Sequence, residues 1–123
     1  MGFLIVFLGG GLGAAARHGV NLLARMIGVD SPFGTLAVNV LGSLLMGAIV
    51  GYAAFRCELP QHWRLFLTTG ILGGFTTFSA FSLETILFYE RGELAMATFY
   101  VAASVGLAVA GLVAGMSLLR HFS

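Results

Sequence analysis

The densest polar cluster of the chain lies inside an apolar stretch, Gly70-Ile71-Leu72-Gly73-Gly74-Phe75-Thr76-Thr77-Phe78-Ser79-Ala80-Phe81-Ser82. Glycines followed by β-branched threonines weaken a helix, through backbone entropy and side-chain crowding. A helix that breaks here leaves backbone carbonyls from about Gly73–Thr76 free to hold a cation. It also aims the N–H groups of the next half-helix, with Thr77 or Ser79 as cap, at an anion. The alternative is an unbroken helix whose hydroxyls bond back to the i−4 carbonyls. Phe78 and Phe81 are i, i+3 neighbours on one helical face. Packing or lipid contact is the default use of phenylalanine in an apolar chain. Beside a polar break, the positive ring edge can instead face a small anion.

Four further residues are polar within apolar stretches, where such groups are functional suspects. Asn39 sits in Gly34-Thr35-Leu36-Ala37-Val38-Asn39. It suits either an interhelical hydrogen bond or donation to a permeating anion. Glu84 follows the phenylalanine pair and reads as an interface residue or as an acceptor that orients nearby hydroxyls. Tyr100 and Ser104 are one helical turn apart and form a short polar stripe. Other signals carry little. Gly9-x-Gly11-x-x-Ala14 resembles a dinucleotide fingerprint but has no strand before it. His18, His62 and His121 lack metal-ligand spacing. Cys57 stands among charges at a span end. No nucleophile is paired with a base, so an enzyme is not expected.

Composition dictates what positions these residues. The chain has 123 residues, 59% hydrophobic and 9% charged, with a mean hydropathy of +0.99. Soluble domains carry about 25% charge, and a small domain cannot hide this much apolar surface from water. A cytosolic enzyme, a disordered chain and a nucleic-acid binder are excluded, the last because a net charge of +1 offers no footprint for phosphates. A single cysteine excludes an internal disulfide. Transmembrane helices need about 20 apolar residues each, which predicts an all-α integral membrane protein. Its one transmembrane domain, residues 1–123, has spans at about 3–26, 33–55, 63–89 and 94–119. Ser31 is a candidate cap with Pro32 at the first helical position. Pro60 marks the start of the third span, and Gly92 stops it. The first span lacks the positive n-region of a signal peptide and is expected to be retained. The third span, helical from Pro60 to Tyr89, would be about 45 Å long at 1.5 Å per residue. Hydrocarbon is only about 30 Å thick, so a break near the midplane is expected, at Gly73-Gly74.

Glycine is abundant, with 18 residues, and small-xxx-small pairs occur in every span: Gly9/Gly13, Gly47/Gly51, Gly70/Gly74 and Gly111/Gly115. Such pairs let helix backbones approach closely in lipid, within one chain or between chains. The arginines divide evenly. Four spans place Arg56, Arg64 and Arg120 on one side, and Arg17, Arg25 and Arg91 on the other. An even split gives the positive-inside rule no asymmetry to act on. Either the count is too small to orient the chain, or the chain inserts both ways up and can pair as an antiparallel homodimer.

On three blocks the chain resembles the Fluc (CrcB-type) fluoride channel family. They are Gly9-Gly10-Gly11-Leu12-Gly13-Ala14-Ala15-Ala16-Arg17; Gly34-Thr35-Leu36-Ala37-Val38-Asn39-Val40-Leu41-Gly42-Ser43; and Thr69 to Thr85, which contains the polar cluster and Glu84. The resemblance implies a dual-topology antiparallel homodimer with two fluoride pores in a bacterial inner membrane. It implies that Asn39 lies on the pore, that Phe78 and Phe81 form an aromatic box, and that Arg17 lies near an aqueous vestibule. Thr77, Ser79 and Glu84, with Tyr100 and Ser104, would form a polar track. A structural Na+ at the dimer centre would be held by the backbone carbonyls of Gly73 and Thr76 from both chains. Ala80 and Ala108 depart from the family pattern, standing where hydroxyl residues are common. The physics is coherent: a small, strongly hydrated anion needs donors that replace its water, in a narrow multi-site pore. The rival readings are a small multidrug-type transporter, which would need a lone acid in the first span, and a fluoride/proton antiporter, which would need a series of acids.

Overall fold

The computed structural model describes residues 1–55 and 59–121. Arg56, Cys57 and Glu58 therefore lie outside the described residues. The elements run α1 (Gly2–Met26), α2 (Ser31–Phe55), α3 (Gln61–Arg64), a π-helix (Leu65–Leu72), α4 (Gly73–Phe75), α5 (Phe78–Glu90) and α6 (Leu94–His121). Grouped as α1, α2, the third span from α3 to α5, and α6, they make four helical stretches long and apolar enough to cross a membrane. The two sharp turns use glycine where φ is positive: Gly28 at 84° and Gly92 at 79°. After α5, the Gly92 amide donates to the Tyr89 carbonyl and the Glu93 amide to the Phe88 carbonyl, each at 3.0 Å, closing the helix end.

α2 begins at Ser31 rather than capping there. The Asp30 carbonyl accepts from the Phe33 and Gly34 amides at 3.0 and 3.2 Å. The Ser31 hydroxyl, free of capping duty, donates to the Glu84 carboxylate at 3.0 Å. A buried acceptor across the bundle has taken the group that local pattern assigned to the helix end.

Two backbone seams hold the bundle. α1 lies against the π-helix and α4, and α2 lies against α6. A Cβ on Gly13 would collide with the Ile71 carbonyl and the Phe75 amide, and one on Gly74 with the Gly10 carbonyl. Across the other seam, a Cβ on Gly47 would strike the Leu112 carbonyl, and one on Gly115 the Leu44 carbonyl. The small-residue pairs thus pack within one chain. Between helices in lipid no hydrophobic gain is available, so close van der Waals contact does the work.

The third span does break, three residues beyond the expected place. Gly73 is helical, with φ −61° and ψ −39°. Thr76 (φ −86°, ψ 159°) and Thr77 (φ −150°, ψ 121°) are extended. The glycine pair serves close approach to α1, and the chain opens where side chains take over the backbone bonds.

Candidate functional site

Three side chains hold the opened backbone. Asn39, in the first half of α2, accepts the Thr77 amide on Oδ1 at 2.8 Å and donates from Nδ2 to the Thr77 carbonyl at 3.0 Å. Both backbone polar groups of Thr77, exposed by the break, are satisfied by one side-chain amide. Thr77 caps α5: its Oγ1 accepts the Ala80 amide at 3.2 Å and shares a hydrogen bond with the Ser79 hydroxyl at 3.2 Å. Arg17 donates from Nε to the Gly74 carbonyl at 3.2 Å, at the end of α4, where a cation meets the negative pole of a helix. Thr76 turns its hydroxyl back onto the Leu72 carbonyl at 2.9 Å.

A groove of about 470 Å³ opens along this break. Its walls include Asn39, Thr77, Phe78, Phe81 and Ser104, together with Gly73 and Thr76. Five of the eight side chains expected on a pore therefore converge on one surface. The remaining three sit behind or beside it. Ser79 is exposed and touches Thr77. Tyr100 and Glu84 are buried, 1% and 7% exposed, and the Tyr100 hydroxyl donates to Glu84 Oε1 at 3.3 Å. Glu84 thus receives one hydroxyl from α2 and one from α6, which satisfies a carboxylate that would otherwise be costly to bury.

The aromatic rings form a chain leading inward. Phe78 and Phe81 have centroids 5.4 Å apart, Phe81 and Tyr100 5.5 Å, and Tyr100 and Phe88 5.6 Å. Phe78 is 78% exposed at the groove mouth and Phe81 only 9%. Phe81 is fixed by its neighbours, whereas Phe78 presents most of its surface. Among the described residues Ser104 Oγ is buried without a hydrogen-bond partner, on a residue that lines the groove.

The residue pattern concealed one stripe. Ser31, Thr35, Asn39 and Ser43 recur every four residues on α2. Ser31 bonds Glu84, Thr35 is buried, Asn39 holds Thr77, and Ser43 lines the groove. Polar positions at i, i+4 spacing along an uncharged span were the available signal for Thr35 and Ser43.

Comparison with known proteins adds a family. The profile described as "CrcB-like protein, Camphor Resistance (CrcB)" matches residues 4–116. The chain is 58% identical over 124 residues to "Fluoride-specific ion channel FluC 2" of Nitrobacter hamburgensis, covering 100% of both chains. It is 60% identical over 121 residues to "Fluoride-specific ion channel FluC" of Granulibacter bethesdensis, covering 98% of this chain and 95% of that one. The channel of that name from Rhodopseudomonas palustris is 58% identical over 121 residues, covering 98% of each.

Proposed function

The chain belongs to the CrcB-like family, and from that premise we propose that it is a fluoride-selective passive channel of the bacterial inner membrane. It is a multi-pass membrane protein and not an enzyme. Export of cytoplasmic fluoride, which lowers its toxicity, is the role this activity serves. The observation that carries the reading is the convergence of Asn39, Thr77, Phe78, Phe81 and Ser104 on one groove at a mid-span break.

Each of these groups has something to offer a small anion. Asn39 Nδ2 spends one hydrogen on the Thr77 carbonyl and keeps a second. Ser104 has an unspent hydroxyl. Phe78 and Phe81 supply ring edges. The Thr77–Ser79 hydroxyl pair lies at the start of α5, at the positive pole of that half-helix. Tyr100 backs Phe81, and Glu84 fixes Tyr100 from a site outside the groove lining. Arg17, tied to the Gly74 carbonyl, lends positive charge on the approach, as a vestibule residue would. Weak sites in series let the ion leave as well as enter. A single acid held by two hydroxyls makes no proton relay, which disfavours an antiporter. The first span, Gly2–Met26, carries no acid, which disfavours a multidrug-type transporter.

The groove is open on one side in a single chain. A second copy inserted the opposite way up would close it, and the even arginine split permits that insertion. The assembly is thus an antiparallel homodimer with the groove of each copy walled by its partner. Structural Na+ belongs to the same reading. The carbonyls of Gly73 and Thr76, on the groove wall, suit a hard cation; when bound, the ion would supply positive charge that ties the two breaks together. The test of the channel is fluoride efflux from liposomes holding the purified protein, read with a fluoride-selective electrode. Fast efflux that requires a potassium shunt supports a passive channel, and efflux that follows an imposed pH gradient supports antiport.

A further inference from the structure

We propose that Asn39 and Thr77 are positioning residues for the cation site: they hold the Gly73 and Thr76 carbonyls free by taking the amide donors that a continuous helix would give them. The inference rests on the channel reading above and on the sodium role within it.

In an α-helix, amide i bonds carbonyl i−4. The donor for the Gly73 carbonyl is therefore the Thr77 amide, which goes instead to Asn39 Oδ1 at 2.8 Å. The donor for the Thr76 carbonyl is the Ala80 amide, which goes instead to Thr77 Oγ1 at 3.2 Å. The flanking carbonyls are not released in this way. Leu72 accepts both the amide and the hydroxyl of Thr76, at 3.0 and 2.9 Å, and Gly74 accepts Arg17 at 3.2 Å. The carbonyls of Gly73 and Thr76 are the two whose helical donors are diverted to the Asn39 and Thr77 side chains. Asn39 also donates to the Thr77 carbonyl at 3.0 Å, so its amide plane is held at both ends and cannot turn without losing both bonds. Gly73 is exposed, and a Cβ there would meet nothing closer than the Thr68 carbonyl at 3.5 Å, which leaves that backbone open to a shared ligand. One residue thereby serves two ions: Asn39 Oδ1 keeps the cation site open, and the same side chain lines the anion groove.

The experiment is thermal unfolding of the purified full chain in detergent, with NaCl exchanged for N-methylglucamine chloride at constant ionic strength. A ligand that binds only the folded state raises the midpoint in proportion to its occupancy. The readout is the sodium concentration that gives half the shift. Asn39→Leu removes the acceptor, lets the Thr77 amide return to Gly73, and is expected to raise that concentration about tenfold or more. Asn39→Asp keeps the acceptor for the Thr77 amide but loses the donor to the Thr77 carbonyl, so its half-saturation should fall between those of the unaltered protein and Asn39→Leu, while its carboxylate repels fluoride and lowers flux. Thr77→Val should behave as Asn39→Leu, and Thr77→Ser, which can still cap, as the unaltered protein. Should Asn39→Leu fail to fold, the Thr77 pair decides the matter. Half-saturation unchanged in Asn39→Leu or Thr77→Val, or raised about tenfold in Thr77→Ser, overturns the positioning role alone. No sodium dependence in the unaltered protein overturns the sodium reading and this inference with it, while the efflux assay still judges the channel.

Discussion

The π-helix with α4 and the helix α5 belong to one span, yet they are held by opposite means. The first half packs by having no side chains at the contact. Gly70 and Gly74 lie against Gly9 and Gly10, and Gly13 lies against the Ile71 carbonyl. The second half is held almost entirely by side chains: Asn39 on Thr77, Ser31 and Tyr100 on Glu84, and the ring chain from Phe78 to Phe88. Backbone contact fixes where the first half stands, because neither partner can shift without a clash. Polar and aromatic contact fixes what the second half presents. The break sits between them because the first half is anchored to α1, and the second to α2 and α6, so neither anchor has to bend.

This contrast makes predictions of decreasing size. The largest concerns the first half. Gly13→Val should abolish well-folded protein, since the added carbons meet backbone that cannot move, whereas Gly11→Ala, with open space around it, should leave the size-exclusion profile unchanged. Next comes Glu84→Ala, which strands the buried Tyr100 and the Ser31 hydroxyl. Loss of those bonds should cost about 1–3 kcal/mol, seen as a lower unfolding midpoint in detergent, with Glu84→Gln closer to the unaltered protein. If Glu84→Ala is as stable as the parent, α5 is not held as described. Phe81→Ile, a change of shape in the ring chain, should leave a folded protein whose fluoride flux falls roughly tenfold, equivalent to about 1.4 kcal/mol. Flux at the parent level would remove Phe81 from the pore. The smallest effect is on Ser104→Ala. Its hydroxyl has no partner among the described residues, so stability should be unchanged or slightly higher, while flux drops by about threefold as one donor disappears. A clear loss of stability would mean that the hydroxyl serves the fold instead.

Hydropathy and turn residues made the four helical spans legible, because apolar length and glycine or proline punctuation are local properties. The break was legible in kind, from the Gly-Gly-Phe-Thr-Thr run, but not in place. Its position depends on Asn39, which is 38 residues away in sequence from Thr77, and no local propensity reports that. The same holds for Ser31, where a good capping residue serves a distant carboxylate. Glu84 as an acceptor for hydroxyls was one of the two readings that its type and its place in an apolar stretch allowed, the other being an interface residue. Thr35 and Ser43 were missed because each is unremarkable alone, although their spacing with Asn39 marks one face of α2. The glycine pairs announced close packing, but only the folded backbone shows that they pack within one chain.

The central claim is that the groove at the Thr76–Thr77 break conducts fluoride passively and selectively. It is tested most directly by loading liposomes with potassium fluoride, adding a potassium ionophore, and following efflux with a fluoride electrode beside a matched chloride experiment. The account predicts rapid fluoride efflux that depends on the ionophore, with chloride retained. Fluoride efflux no faster than from protein-free liposomes, or chloride efflux at a similar rate, would contradict it.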